Sequence, residues 1–335
     1  MRLVFVLALL CCISLGSRAA ALLPVTIALP GPGALPMLPV ELVPLIGADR
    51  AQGLSVTLRY FGGGPLALKD LLAGNSDFAA LGFSALAETA DIEGKAYSVV
   101  NLVRVPAYTL MVGEKFKGRI KSPADLRGRS IGVHTGSKGG KSTGQHIAEF
   151  LLKRANVSPQ EVNFVAAGQN YKSYAAALQS GAADAIITNE PAATRLESEG
   201  IAYRLVDLHD LATTRQYLGS LFQYTQVCTR ADVIRQQTVK VDRMVGALIT
   251  ALDWIQRHSP GEVADRLGIK DPEEHANFVR VLQKHKGMFS PDGVFSGDQL
   301  LGTATLLNAI GNRKDKATSR DLDRLIDDQW VGRRQ

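Results

Sequence analysis

Apolar and polar positions along the chain change period in a repeating order. A short apolar or alternating run comes first, then a small-residue turn, then apolar residues at helical spacing. Val25–Leu29 predicts a first strand, stopped by Pro30-Gly31-Pro32-Gly33, with a short helix over Met37–Leu45 beyond it. Leu54–Tyr60 alternates as a second strand, turns through Phe61-Gly62-Gly63-Gly64-Pro65 and feeds a helix over Leu66–Ala73. Phe78–Leu81 is a third strand, with Gly82-Phe83-Ser84 leading into a helix near Ala85–Ala90. Val99–Val105 and Tyr108–Val112 read as further strands, interrupted at Pro106. The order then resumes: strand Ser130–Val133, helix Gln145–Arg154, strand Val162–Val165, helix Tyr171–Gln179, strand Ala185–Thr188. Strands that alternate with helices predict an α/β fold with mainly parallel sheets and ligand loops at the strands' carboxyl ends.

One phrase occurs twice. Leu72-Ala73-Gly74-Asn75-Ser76-Asp77-Phe78-Ala79-Ala80 returns as Leu178-Gln179-Ser180-Gly181-Ala182-Ala183-Asp184-Ala185-Ile186. Each copy ends a helix on a glycine turn and opens a strand after Asp, so the chain builds one helix-to-strand unit twice and two similar lobes are expected. Gln223–Thr229 alternates as a strand crossing back between them. From Ala231 the pattern is mostly helical, with Val241, Met244, Val245, Leu248, Leu252 and Ile255 at helical spacing and Trp254 as core or half-buried packing. Asp271-Pro272-Glu273-Glu274 opens another helix with a cap, a Pro and an acidic first turn. The expected division is a leader over 1–21, a first lobe over 22–107 plus about 226–335, and a second over 108–225.

Composition is ordinary for a globular chain of 335 residues, 46% hydrophobic and 21% charged. The formal charge of +6 is interspersed rather than gathered into a stripe, which argues against nucleic acid as a partner. Met1-Arg2 followed by the apolar run Leu3–Leu15 and small residues around Ala19-Ala20-Ala21 reads as a cleaved secretory signal peptide. Cys11 and Cys12 lie inside the apolar run, where a lipidated cysteine is not expected. Only Cys228 survives cleavage, so no intramolecular disulfide forms; it reads as a buried strand residue, with a reactive thiol as the alternative.

The candidate chemistry is that of binding. Thr135-Gly136-Ser137-Lys138-Gly139-Gly140-Lys141-Ser142 resembles a phosphate-binding P-loop, but Thr135 stands where the first Gly belongs. A Gly-rich loop between strand and helix still offers backbone N–H groups to an anion, unless it is only a solvated turn. Asn189-Glu190-Pro191 ends a strand and opens a helix, so the Glu190 carboxylate either accepts hydrogen bonds from a ligand or complements the helix N-terminus. Tyr60, Phe61, Phe83, Ser84 and Tyr108 stand at comparable strand ends, where rings would wall a pocket or pack under loops. Of six histidines only His134 lies near such a loop, no zinc spacing is present, and neither a Gly-x-Ser-x-Gly turn nor a cysteine-centred site appears. Neither cofactor, metal nor enzyme activity is expected.

The order of these motifs resembles the periplasmic substrate-binding proteins of the nitrate, sulfonate and taurine group of ABC importers. The likeness is carried by Gly53-Leu54-Ser55-Val56, Gly62-Gly63-Gly64, the doubled phrase, Asp125-Leu126-Arg127-Gly128-Arg129-Ser130-Ile131-Gly132-Val133 and Glu190-Pro191, over about residues 25–255. It implies a two-lobed, type II-like fold, each lobe a mainly parallel sheet flanked by helices, joined by two crossing strands. It also implies a monomer that closes on a small molecule and docks on an inner-membrane permease from the periplasm. By the same resemblance Gly62, Gly63, Phe83 and Ser84 face the cleft from one lobe, and Thr135, Gly136, Ser137 and Glu190 from the other. Tyr60, Tyr108, Lys138, Asn189 and, in the first loop, Pro32 and Gly33 complete the candidate site. That first loop departs from the group in its Pro and Gly content, so a small organic ligand, with sulfonates and carboxylates as candidates, is expected rather than taurine or nitrate itself. Two alternatives stay open: a periplasmic sensor subunit for a membrane kinase, and an enzyme resembling the thiamine-pyrimidine-precursor synthases.

Overall fold

The computed structural model describes residues 21–89, 91–134, 141–168, 170–310 and 316–334. The predicted leader lies outside them but for Ala21, and among the described residues no helix is long and apolar enough to cross a membrane. Two five-stranded sheets organise the chain.

The first sheet contains β1 (Leu23–Leu29), β2 (Leu54–Tyr60), β3 (Phe78–Gly82) and β4 (Ala96–Asn101); the second contains β5 (Thr109–Gly113), β6 (Ser130–Val133), β7 (Asn163–Ala166), β8 (Ala185–Thr188) and β9 (Ala202–Asp207). A further strand, β10 (Thr225–Arg230), returns to the first sheet, giving the orders β2-β1-β3-β10-β4 and β7-β6-β8-β5-β9. In each sheet three parallel strands are followed by one antiparallel strand that arrives from the other lobe, β10 against β3 and β4, β5 against β8 and β9. Helices α1 (Leu38–Leu45), α2 (Ala48–Ala51), α3 (Gly64–Leu72) and α4 (Phe83–Ala87) connect the first sheet, and α5 (Thr143–Arg154), α6 (Tyr171–Gln179), α7 (Ala192–Ser198) and α8 (Leu211–Leu218) the second.

The doubled phrase performs the same mechanical task twice. Gly74 and Gly181 take φ of 81° and 79°, a left-handed conformation that costs glycine little, and each ends its helix. Asp77 then exchanges bonds with Thr26 of β1: its N–H donates to the Thr26 carbonyl, and its carboxylate accepts the Thr26 N–H at 2.9 Å. Asp184 does the same with Ser130 of β6, at 2.8 and 3.1 Å. Each Asp ties the start of a strand to its parallel neighbour, at the middle of β1 and at the start of β6.

Two expectations shift. The strand expected over Val99–Val105 ends at Asn101, because the N–H groups of Leu102 and Val103 both converge on the Thr225 carbonyl at the start of β10 and that of Arg104 turns to Met288, which breaks the ladder spacing. The connections over 102–108 and 208–224 join the two sheets. The apolar pattern also conceals β9, since Arg204 and Asp207 interrupt it.

The C-terminal third is helical: α9 (Ala231–Gln236), α10 (Thr238–Arg257), α11 (Pro260–Arg266), α12 (Pro272–His285), α13 (Gly297–Ile310) and α14 (Ser319–Asp323). Helix α10 buries Val241, Met244, Val245, Leu248, Leu252 and Ile255 against α1 and α2, with Trp254 half-buried and stacked on His258. These helices touch those of both sheets. Helix α12 reaches α7, and α13 packs on α5, where Lys153 donates to the Ala309 carbonyl. Cys228 is fully buried in β10, and burial pushes its thiol up to about 12, so the residue is structural.

Candidate functional site

A cavity of about 700 Å³ opens where the carboxyl ends of both sets of parallel strands meet. Its walls follow from the connections. From the first lobe come the β1–α1 loop with Pro30, Pro32, Gly33 and Pro36, the β2–α3 turn with Gly62 and Gly63, and Ser84 at the head of α4. From the second come His134 after β6, Ser142 at the cap of α5, Tyr171 and Tyr174 of α6, and Asn189 and Glu190 after β8. Tyr108 and Tyr224 stand at the ends of the two inter-lobe connections, and α11–α12 adds a third wall with Leu267, Ile269 and Phe278.

The structure thus gathers Pro32, Gly33, Gly62, Gly63, Ser84, Tyr108, Asn189 and Glu190 around one space. Two candidates stand apart. Phe83 is fully buried with Leu81 and Leu86, because its backbone N–H is held by the Tyr224 carbonyl and its ring turns into the core. Tyr60 is 44% exposed outside the rim, its hydroxyl bonded to Glu41, and burial with the adjacent carboxylate pushes that hydroxyl up to about 12. Thr135, Gly136, Ser137 and Lys138 lie outside the described residues. Beyond them, Ser142 caps α5 by accepting the Gln145 N–H, and Lys141 pairs with the buried carboxylate of Glu149 at 2.8 Å.

Glu190 is used differently from the ligand-accepting role expected of it. It is fully buried, and both oxygens are engaged inside the protein: Oε1 accepts from the Arg204 guanidinium at 2.7 Å and the Thr194 hydroxyl at 3.0 Å, Oε2 from the Thr194 N–H at 3.0 Å. The last of these bonds is the helix N-terminal role, on the first turn of α7. Arg204 also binds Asp207 at 2.9 Å and Glu197 at 2.8 Å, and Asp207 meets His209 at 3.0 Å and Lys284 at 3.2 Å. Burial would raise the Glu190 carboxyl, but its neighbours His285, His209 and Arg204 outweigh that and hold it at about 2. His285 Nε2 stands 3.3 Å from Glu190 Oε1. Through His285, Lys284 and the bond from Asn277 to the Pro191 carbonyl, the cluster fastens α12 to the loop after β8.

The floor of the cavity is formed by Tyr224, Tyr108, His134 and Tyr174, part of a run of rings that begins at the buried Phe222 and that the sequence reading named only in part. Phe222, Tyr224, Tyr108, His134 and Tyr174 stand in succession with centroids 6.2, 5.9, 6.2 and 5.7 Å apart. Burial raises the hydroxyls of Tyr108, Tyr174 and Tyr224 and lowers the His134 ring to about 4, so the floor is uncharged at neutral pH. Tyr171 and Tyr174, three apart in one helix, were the available signal for the second-lobe rings.

The model of the NMT1/THI5-like family matches residues 50–262, well over half of the chain. No curated protein matches the sequence. Among solved structures, a protein of Bordetella bronchiseptica RB50 is 24% identical with a TM-score of 0.78, covering 92% of this chain and 95% of that one. The periplasmic aliphatic sulphonate-binding protein SsuA of Escherichia coli is 18% identical at 0.67, covering 90% and 91%. The periplasmic nitrate-binding protein NrtA of Synechocystis PCC 6803 is 13% identical at 0.58, covering 75% and 66%. At these identities the likeness is one of fold, and it agrees with the motif order. The chain belongs to the NMT1/THI5-like family and has the two-lobed fold of periplasmic binding proteins.

Proposed function

We propose that this protein is the periplasmic solute-binding component of an ABC importer, which captures a small organic ligand between its lobes and presents the closed form to a membrane permease. The observation that carries the reading is the cavity itself. It has the size of a small-molecule site, lies at the strand ends where ligands of α/β sheets bind, and is walled by both lobes. Ligand contacts fall to Pro32, Gly33, Gly62, Gly63 and Ser84 on one side, to Asn189, His134 and Tyr174 on the other, and to Tyr108 and Tyr224 between. A ligand that touches both lobes binds the closed form better, and that difference drives closure about the two connections. The apolar leader after Met1-Arg2 supports a periplasmic location, and the likeness in fold to sulphonate- and nitrate-binding proteins supports binding over catalysis.

Thermal-shift screening of the mature protein against a broad solute panel, followed by calorimetry, tests the proposal. At least one small solute binds with one-to-one stoichiometry and raises the melting temperature; a folded protein indifferent to every solute would argue against capture. Adjacent permease and ATPase genes distinguish import from sensing.

A further inference from the structure

We infer that the ligand of this cleft carries an aromatic or otherwise planar conjugated ring, which lies against the floor formed by Tyr108, Tyr174, Tyr224 and His134. This rests on the solute-binding reading above and names the class of solute. The rings form a built surface rather than a chance gathering. Tyr224 meets Tyr108 edge to face at 73°, and His134 is stacked on Tyr174 at 13° with its Nε2 bonded to the Tyr174 hydroxyl. Tyr174, Tyr108 and Tyr224 are only 1, 6 and 7% exposed, so the floor is ordered before a ligand arrives. Gly144 lets α5 approach closely: a Cβ there would stand 3.1 Å from the Tyr108 ring and 3.3 Å from Ile187, so these neighbours would have to shift by a few tenths of an ångström. From the first lobe, Pro30, Pro32, Leu35, Pro36 and Met37 add apolar lining to the same cavity.

Much of the charge next to the rings is already committed, whereas Arg280 and Glu274 of α12 line the cavity on its third wall. Lys141 is held by Glu149, Arg195 by Glu199 and the face of Tyr171, and Glu190 by Arg204. His146 faces Glu88 at 3.7 Å. A saturated sulfonate pressed onto the floor would meet phenol and imidazole groups engaged with one another, Tyr108 with Tyr224 and Tyr174 with His134, and would lose hydration without gaining a counter-charge. A flat π-system instead gains offset or edge contact with several rings. The polar end of such a ligand then points away from the rings, toward the cleft mouth.

Matched probes test this directly: benzoate against cyclohexanecarboxylate, benzamide against cyclohexanecarboxamide, and benzenesulfonate against cyclohexanesulfonate, with alkanesulfonates included. The aromatic partner binds about tenfold more tightly in at least one pair by calorimetry, as one or two ring contacts imply. Tyr174→Leu and, separately, His134→Leu reduce that preference to below about threefold, whereas Tyr108→Phe retains it; two independent floor variants keep the test intact if one fails to fold. Saturated or alkyl solutes that bind as well as their aromatic partners overturn the ring class and leave solute capture standing. No binding by any solute in folded protein overturns both.

Discussion

The two lobes share a scaffold and differ in what they mount on it. Strand order, the inserted antiparallel strand, the glycine helix end and the Asp-to-neighbour bridge are the same in both. The surfaces at the strand ends are not. The first lobe offers Pro, Gly and Ser, with little side chain to reorganise. The second offers polar rings, and behind them a buried charge cluster that holds its loop to α12. A repeated scaffold needs only the residues that close a helix and align a strand, so the ends of its strands were free to diverge. One jaw became a smooth face and the other a furnished one.

The largest effect expected from breaking this contrast comes from Arg204→Met in the second lobe. It leaves Glu190 and Asp207 buried without their guanidinium and costs roughly 3–5 kcal/mol in urea unfolding. The ion pair Arg59–Asp70 of the first lobe has an arginine side chain 41% exposed, and Arg59→Met costs at most about 1 kcal/mol. Equal losses would remove the distinction between the jaws.

Next comes Glu190→Gln, which is expected to lower stability, not only affinity. The Glu190 carboxyl lies at about 2 in the folded protein against an ordinary 4.5. Between those values the unfolded chain binds more protons, so stability rises with pH there. The contribution is complete above pH 4.5 and is lost as pH falls toward 2, on the order of 3 kcal/mol. Denaturation curves from pH 5.5 to 2 measure it, and the slope should be shallower in Glu190→Gln; an unchanged slope would contradict the cluster's role.

The smallest effects compare the repeated aspartates. Asp77→Ala and Asp184→Ala should each cost about 1.5–3 kcal/mol, the value of a charge-assisted bond to a strand N–H. Asp77 should sit at the upper end because it also pairs with Lys240 of α10 at 2.8 Å. Paired urea midpoints, with Lys240→Met as a control, sharpen the comparison.

What the sequence makes legible is what local periodicity encodes. The bounds of Leu54–Tyr60, Ser130–Val133, Tyr171–Gln179 and Ala185–Thr188 are readable because apolar spacing and flanking turn residues agree. The doubled phrase marks both jaws for the same reason. The charge cluster is not legible, since Glu190, Arg204, Asp207 and His285 come from a loop, a strand and a distant helix that only tertiary folding assembles. Phe83 shows the limit of assigning ligand contacts by strand end alone: one residue's difference in direction places Ser84 on the cavity and Phe83 in the core. The third wall, α11–α12, carries an amphipathic pattern like any surface helix, and nothing in that pattern says which surface it covers.

The most direct test of the account is calorimetry combined with small-angle scattering on the mature protein and its Tyr174→Leu variant, titrated with the tightest-binding solute of the panel. The account predicts one solute per chain, a smaller radius of gyration on saturation, and affinity weakened about tenfold in Tyr174→Leu. One-to-one binding that leaves the radius of gyration unchanged and is indifferent to Tyr174 would contradict capture between the lobes.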